Sequence, residues 1–158
     1  MTGQCPAYRV VEDDLSAPEV VALLELHLTD MRRISPECSV HALSLERLRE
    51  PEVTFYTVWD GEALAAFGAL KEVEPGHAEI KSMRAAPTYR GKGAGRAVLE
   101  HIIAEAKARG YARLSLETGR TEDYVPARGL YVAYGFKPCA AFADYVLDDF
   151  SMCMSRAL

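Results

Sequence analysis

No run of apolar residues in this chain approaches the roughly 20 that a membrane-spanning helix needs. The longest, Ala63–Leu70 with Gly68 counted in, is eight residues, so no membrane span is expected. A cationic start followed by an apolar stretch is also missing. Glu12, Asp13 and Asp14 stand where a signal peptide would be greasy, so secretion is not expected. Thr2 stands where myristoylation needs glycine and Ser155 where prenylation needs cysteine. The four cysteines, Cys5, Cys38, Cys139 and Cys153, form no C-x-x-C pair. That spacing points to reduced thiols in a cytoplasm, not to a metal site or a disulfide framework. Positive charge is in deficit, 18 basic against 23 acidic side chains for a net charge of -5, so the chain lacks the electrostatic footprint of a nucleic-acid binder. Internal repeats and low-complexity segments are absent as well.

What is present suits one globular domain spanning residues 1–158. The 158 residues match the roughly 150 of a typical domain. A content of 49% hydrophobic and 26% charged residues is enough to build a core.

Tyr8 to Val11 reads as a first strand, and Ser16, Pro18 and Glu19 as a capping box that opens a helix with the stripe Val21, Leu24, Leu28, Met31. Arg32 and Arg33 close that helix, and Ser44 to Arg49 reads as a second, short one. Asp60-Gly61 between Phe55–Trp59 and Glu62–Val73 predicts a tight hairpin. Pro75-Gly76 then turns into a third meander strand, His77 to Arg84. Gly93 to Arg109 is the strongest helix, with Val98, Leu99, Ile102, Ile103 and Ala106 on one stripe and Gly110 behind it. A strand at Arg113–Glu117, a helix at Tyr124–Tyr134 and strands around Lys137–Phe142 and Ser151–Arg156 complete the order. The fold class expected is α/β, with a mixed, mostly antiparallel sheet of about seven strands and about four helices.

Arg90-Gly91-Lys92-Gly93-Ala94-Gly95-Arg96 joins a strand to the long helix. Three glycines let backbone N–H groups converge in front of the positive end of the helix dipole, which suits a diphosphate. No acidic residue occurs from Ser82 to Leu99, while Arg84, Arg90, Lys92 and Arg96 add four positive charges. A dinucleotide fingerprint would need a third glycine at Arg96 or Val98, and a Walker loop would need Ser or Thr where Gly93 stands. The spacing instead resembles the Arg/Gln-x-x-Gly-x-Gly/Ala loop of the GNAT acetyltransferases, matched at Arg90, Gly93 and Gly95. Lys81-Ser82-Met83-Arg84, Leu114-Ser115-Leu116-Glu117-Thr118-Gly119 and Ala127-Arg128-Gly129-Leu130-Tyr131 through Gly135-Phe136 resemble further blocks of that family, in its order. Ala78-Glu79-Ile80 and Phe142-Ala143-Asp144-Tyr145 are similar to a small bacterial branch of uncharacterised N-acetyltransferases. Two departures are Ala94, where larger aliphatics are usual, and Tyr124, where many members have a cofactor-contacting asparagine.

The resemblance implies direct transfer from acetyl-CoA to an amine in a ternary complex, without a metal. It implies CoA-binding positions at Met83, Arg84 and Ala85, at Arg90, Gly91, Lys92, Gly93, Ala94, Gly95 and Arg96, and at Thr118, Ala127 and Tyr131. It places Tyr131 as the acid for the leaving thiolate and the backbone of Met83 at the thioester carbonyl. Strand alternation would put residues 77, 79, 81 and 83 on one face, making Glu79 the candidate base. A surface carboxylate paired with Lys81 or Arg113 is the alternative for Glu79, and a helix-core aromatic the alternative for Tyr131. His41, Trp59, Asp144 and Tyr145 are candidate acceptor-lining residues, with ordinary packing as the alternative. His27, His77 and His101 are expected as surface or interface residues, not as ligands. The expected partner is a small-molecule amine, with neither nucleic acid nor membrane, and a homodimer is left open. Rival readings are a non-catalytic acyl-CoA-binding or sensor module, and a protein N-terminal or lysine acetyltransferase.

Overall fold

The computed structural model describes residues 7–35, 43–143 and 145–158. The strands are β1 (Arg9–Glu12), β2 (Val53–Asp60), β3 (Ala63–Glu74), β4 (His77–Ala85), β5 (Arg113–Gly119), β6 (Lys137–Cys139) and β7 (Ser151–Ala157). The α-helices are α1 (Pro18–Ile34), α2 (Leu45–Leu48), α3 (Ala94–Ala108) and α4 (Val125–Ala133). One seven-stranded sheet runs in the order β1-β2-β3-β4-β5-β7-β6. Among the described residues, only β4 and β5 pair in parallel. This is the mixed, mostly antiparallel architecture that the element order predicts. No helix among the described residues is long and apolar enough to cross a membrane.

Alternation along the strands feeds two cores, one on each face. Ala66 and Leu70 of β3, Ala78 and Ile80 of β4, and Leu114 and Leu116 of β5 meet the stripe Val98, Leu99, Ile102, Ile103, Ala106 of α3 and Tyr131 of α4. Phe55 of β2 and Phe67 and Ala69 of β3 face the other way, against Val20, Leu23 and Leu24 of α1 and Leu48 of α2. Gly68 lets α3 lie directly on β3, since a Cβ there would come within 3.0 Å of Val98 and 3.1 Å of Ile102.

Several local expectations are corrected. Pro18 sits in the first turn of α1, but the cap is Ala17, with no side-chain hydrogen bond. Ser16 is instead turned toward Asp14, whose carboxylate accepts its backbone N–H at 3.0 Å, so the capping box does not form. The buried face of α1 is Val20, Leu23, Leu24 and His27. Val21, Leu28 and Met31 lie only at its margin. The hairpin loop is Gly61-Glu62, with Asp60 still paired to Ala63. Gly61 takes the positive φ of 59° at the first loop position, which favours this placement over Asp60-Gly61. Tyr124 ends a 3-10 turn before α4 begins, and β6 stops at Cys139, well short of Phe142.

His27, expected at the surface or an interface, is instead 6% exposed within the chain and stands edge-on to Phe67 at 5.6 Å. Burial, with the Arg84 guanidinium adding to it, pushes its pKa down to about 4. The unfolded chain therefore binds a proton near pH 6.5 that the folded chain refuses until about pH 4, so stability falls as pH drops through that window. About 3 kcal/mol is at stake for a shift of this size. Thermal melts from pH 7 to pH 4 should show this loss, and His27→Leu should flatten it.

Candidate active site

β4 does not keep strict alternation. Lys81 pairs with Ala69 and Arg84 with Phe67, so Ser82 and Met83 together oppose Gly68. Ser82 accommodates the extra residue at φ 53°. This bulge reverses the faces beyond it. Met83 joins Ala78 and Ile80 on the α3 side, whereas Glu79, Lys81 and Arg84 lie on the opposite face, where Arg84 reaches Asp30 of α1. The expectation that residues 77, 79, 81 and 83 share a face is thus corrected, because cross-strand register, not local sequence, sets the bulge. Arg84 donates to Asp30 of α1 at 2.5 Å and is only 8% exposed, so its charge does not belong to the glycine loop.

Three cations remain there, Arg90, Lys92 and Arg96, all exposed. The loop is held from behind. The Tyr8 hydroxyl donates to the Lys92 carbonyl at 2.8 Å, and Tyr89 donates to Asp60 at 2.8 Å. Gly93 caps α3 in the left-handed region, at φ 86°, and no acidic residue lies in the first turn. Ala94 is fully buried against the α3-side core.

Past Glu79, β4 and β5 part company. Their register pairs are His77 with Arg113, Ala78 with Leu114 and Glu79 with Ser115, and β4 continues to Ala85 while β5 continues to Gly119. The diverging edges form a wedge. Along it lie the predicted Met83, Ala85 and Thr118, while Ala127 and Tyr131 come from α4 against the same side of the sheet. Tyr131 is 7% exposed, with its ring edge-on to Phe136 at 5.9 Å, and burial pushes its phenol up to about 12.

On the opposite face, Glu79 is 2% exposed and accepts the Tyr145 hydroxyl at 2.5 Å. Lys81 lies 3.6 Å from the same carboxylate and also hydrogen-bonds to Tyr145. Phe142 stacks between His77 and Tyr145, at 5.4 Å and 5.0 Å, so the segment after β6 is folded down over this group. His77 in turn shares a 2.7 Å hydrogen bond with Ser115. Burial lowers the Lys81 pKa against the pull of Glu79.

Glu117 was not singled out from the sequence. It is half-buried on β5, two residues beyond the last pair with β4, and burial pushes its carboxyl up to about 7. Ser151 and Lys81 oppose that rise, and Glu79 adds to it. The signal was present in Leu114-Ser115-Leu116-Glu117, whose alternation puts Ser115 and Glu117 on one face. Tyr124 crosses from the end of β5 to α1, where its hydroxyl meets Ser35 at 2.8 Å and Met31 at 3.6 Å. Its ring lies over Gly119, where a Cβ would come within 2.3 Å. Trp59 packs into the α1-side core and donates to Thr57 at 2.8 Å, two strands away from Glu79 and Lys81. His41 and Asp144 lie outside the described residues.

The fold recurs in known proteins. Residues 20–136 match the acetyltransferase (GNAT) family, and the chain belongs to that family. It is 51% identical over 146 residues to the uncharacterized N-acetyltransferase YsnE of Bacillus subtilis strain 168, covering 92% of this chain and 97% of that protein. To the uncharacterized N-acetyltransferase YedL of Escherichia coli K12 it is 44% identical, covering 96% and 95%. A crystal structure of a Bacillus subtilis acetyltransferase in complex with CoA has the same fold, with a TM-score of 0.69, 18% identity and coverage of 96% and 97%. The protein is an N-acetyltransferase of the GNAT type.

Proposed function

We propose that the chain transfers the acetyl group of acetyl-CoA to the primary amine of a small molecule, by direct attack within a ternary complex. The observation that carries this reading is the wedge between β4 and β5, opening beside the glycine loop and beside the Glu79, Lys81 and Glu117 group. The residues present fit CoA. Three exposed cations and the N–H groups at an acid-free helix start suit its diphosphate. The unpaired strand edges suit an extended, amide-bearing arm taken up as an added strand. Bound acetyl-CoA supplies the activated acyl group, and the rest falls to the chain's own side chains.

An alkyl ammonium with a pKa near 10.4 is neutral in only about one part in a few thousand at pH 7, so the proton must be taken up at the site. Glu79, the base candidate by position, has its carboxylate engaged by Tyr145 and Lys81. Glu117 is more open and titrates near the working pH, which favours it as the proton acceptor. Glu79 then holds Tyr145 and Lys81 in place. Tyr131, kept protonated by burial, is the donor to the departing thiolate. The cover formed by Phe142 and Tyr145 supports a small acceptor over a folded protein.

Acetyl-CoA consumption across an amine library tests the function, and no turnover with any amine would leave the non-catalytic rival standing. On a true acceptor, wild type should show a rising limb in kcat/KM with a pKa near 7. Glu117→Gln should move that limb toward the amine's own pKa, whereas Glu79→Gln, which removes a negative neighbour that raises the Glu117 pKa, should move it to lower pH. The reverse pattern would return the base role to Glu79.

A further inference from the structure

The sequence separation of Cys139 and Cys153 hides their closeness. Cys139 ends β6, Cys153 lies in β7, and the register sets them directly opposite each other. Opposed residues of an antiparallel pair share a face and stand about 4.5–5.5 Å apart at Cα, inside the roughly 4.4–6.8 Å that a disulfide spans. Both cysteines are free thiols, Cys139 half-exposed on an edge strand and Cys153 1% exposed. We propose that Cys139 and Cys153 are a reversible oxidation site, joined into a cross-strand disulfide by low-molecular-weight disulfides of the glutathione class.

The exposures set the order of events. The Cys139 thiolate attacks one sulfur of the oxidised glutathione, forming a mixed disulfide and releasing one thiolate of glutathione. The Cys153 thiolate then attacks the Cys139 sulfur and expels the second. Two protein thiols and one small disulfide become one protein disulfide and two small thiols, so electrons and protons balance. Burial holds the Cys153 thiol up at about 11, which makes the second step slow near neutral pH and about tenfold faster per pH unit toward that value. The product ties together the two ends of the segment that carries Phe142 and Tyr145. It does so beside Glu117, the neighbour of Cys153 on its other side.

The test uses the wild-type chain with oxidised glutathione, quenched in acid and digested without reductant. A peptide pair joining Cys139 to Cys153, lighter by two hydrogens and released by dithiothreitol, is expected. Cys153→Ser should accumulate one glutathione on Cys139, and Cys139→Ser should leave Cys153 unmodified in the folded protein. A Cys139–glutathione adduct that persists in wild type at pH 9, linkage of either cysteine to Cys5 or Cys38 instead, or no change at either residue would overturn the proposal.

Discussion

Gly93→Asp is expected to weaken CoA binding at least a hundredfold, which is about 2.7 kcal/mol. Two effects add. Gly93 adopts φ 86°, a conformation that costs a residue with a Cβ about 1 kcal/mol or more. The larger effect is charge, since a carboxylate here faces the position where the exposed Arg90, Lys92 and Arg96 gather a diphosphate. Like charges about 4 Å apart at a protein surface repel by roughly 4 kcal/mol. Collapse of the fold is not the expected cause of the loss, because Gly93 is exposed and a Cβ there would meet only the Tyr8 ring, at an ordinary 3.9 Å. Gly93→Asn separates the two effects: it tolerates the left-handed region and carries no charge, so it should retain binding within about tenfold. Calorimetry on the three proteins decides the matter, and equal affinity of wild type and Gly93→Asp would remove the diphosphate from this loop.

Tyr131→Phe is expected to lower kcat by about tenfold to a thousandfold while the KM for acetyl-CoA stays close to wild type. The ring lies in the core with Phe136, Ala127 and Leu130, and removing one oxygen leaves that packing intact. With its pKa near 12 the phenol is protonated at every working pH. Full transfer to a thiolate of ordinary basicity near 8.5 is then uphill by about 5 kcal/mol, unless the same dry surroundings raise the thiol too. Strong hydrogen-bond donation to the developing charge meets the same need at lower cost, which sets the modest end of the range. Steady-state kinetics on an acceptor with rate-limiting chemistry provides the check. An unchanged kcat would make Tyr131 a core aromatic and nothing more.

What could be read from the sequence was what neighbours in the chain determine. The α3 stripe, its closing Gly110 and the glycine loop before it are local patterns, and the structure places them as expected. The meander of β2, β3 and β4 followed from two turn signals, with the first loop displaced by one residue. What escaped depends on partners far along the chain. The bulge at Ser82 and Met83 is set opposite Gly68, and the half-buried pair Asp30–Arg84 joins residues 54 apart. His27 is a polar residue on an otherwise apolar face, which helical periodicity alone assigns to the margin. Glu117 gained its raised pKa from surroundings built by β4, β7 and the loop between β6 and β7, none of which its own strand announces.

The parting of β4 and β5 has a consequence for the molecule as a whole. Four strands stand on one side of that seam and three on the other, and the ladder across it holds three residue pairs, from His77–Arg113 to Glu79–Ser115. A ligand lodged in the wedge as proposed would bond to both halves and serve as the missing rungs of the sheet while it is being consumed. Acetyl-CoA would then act as a structural member as well as a reagent. An enzyme filled to a hundred times its Kd would gain about 2.7 kcal/mol of folding stability. Scarcity of the acyl donor would thus loosen the scaffold itself, in the region where β4 and β5 diverge.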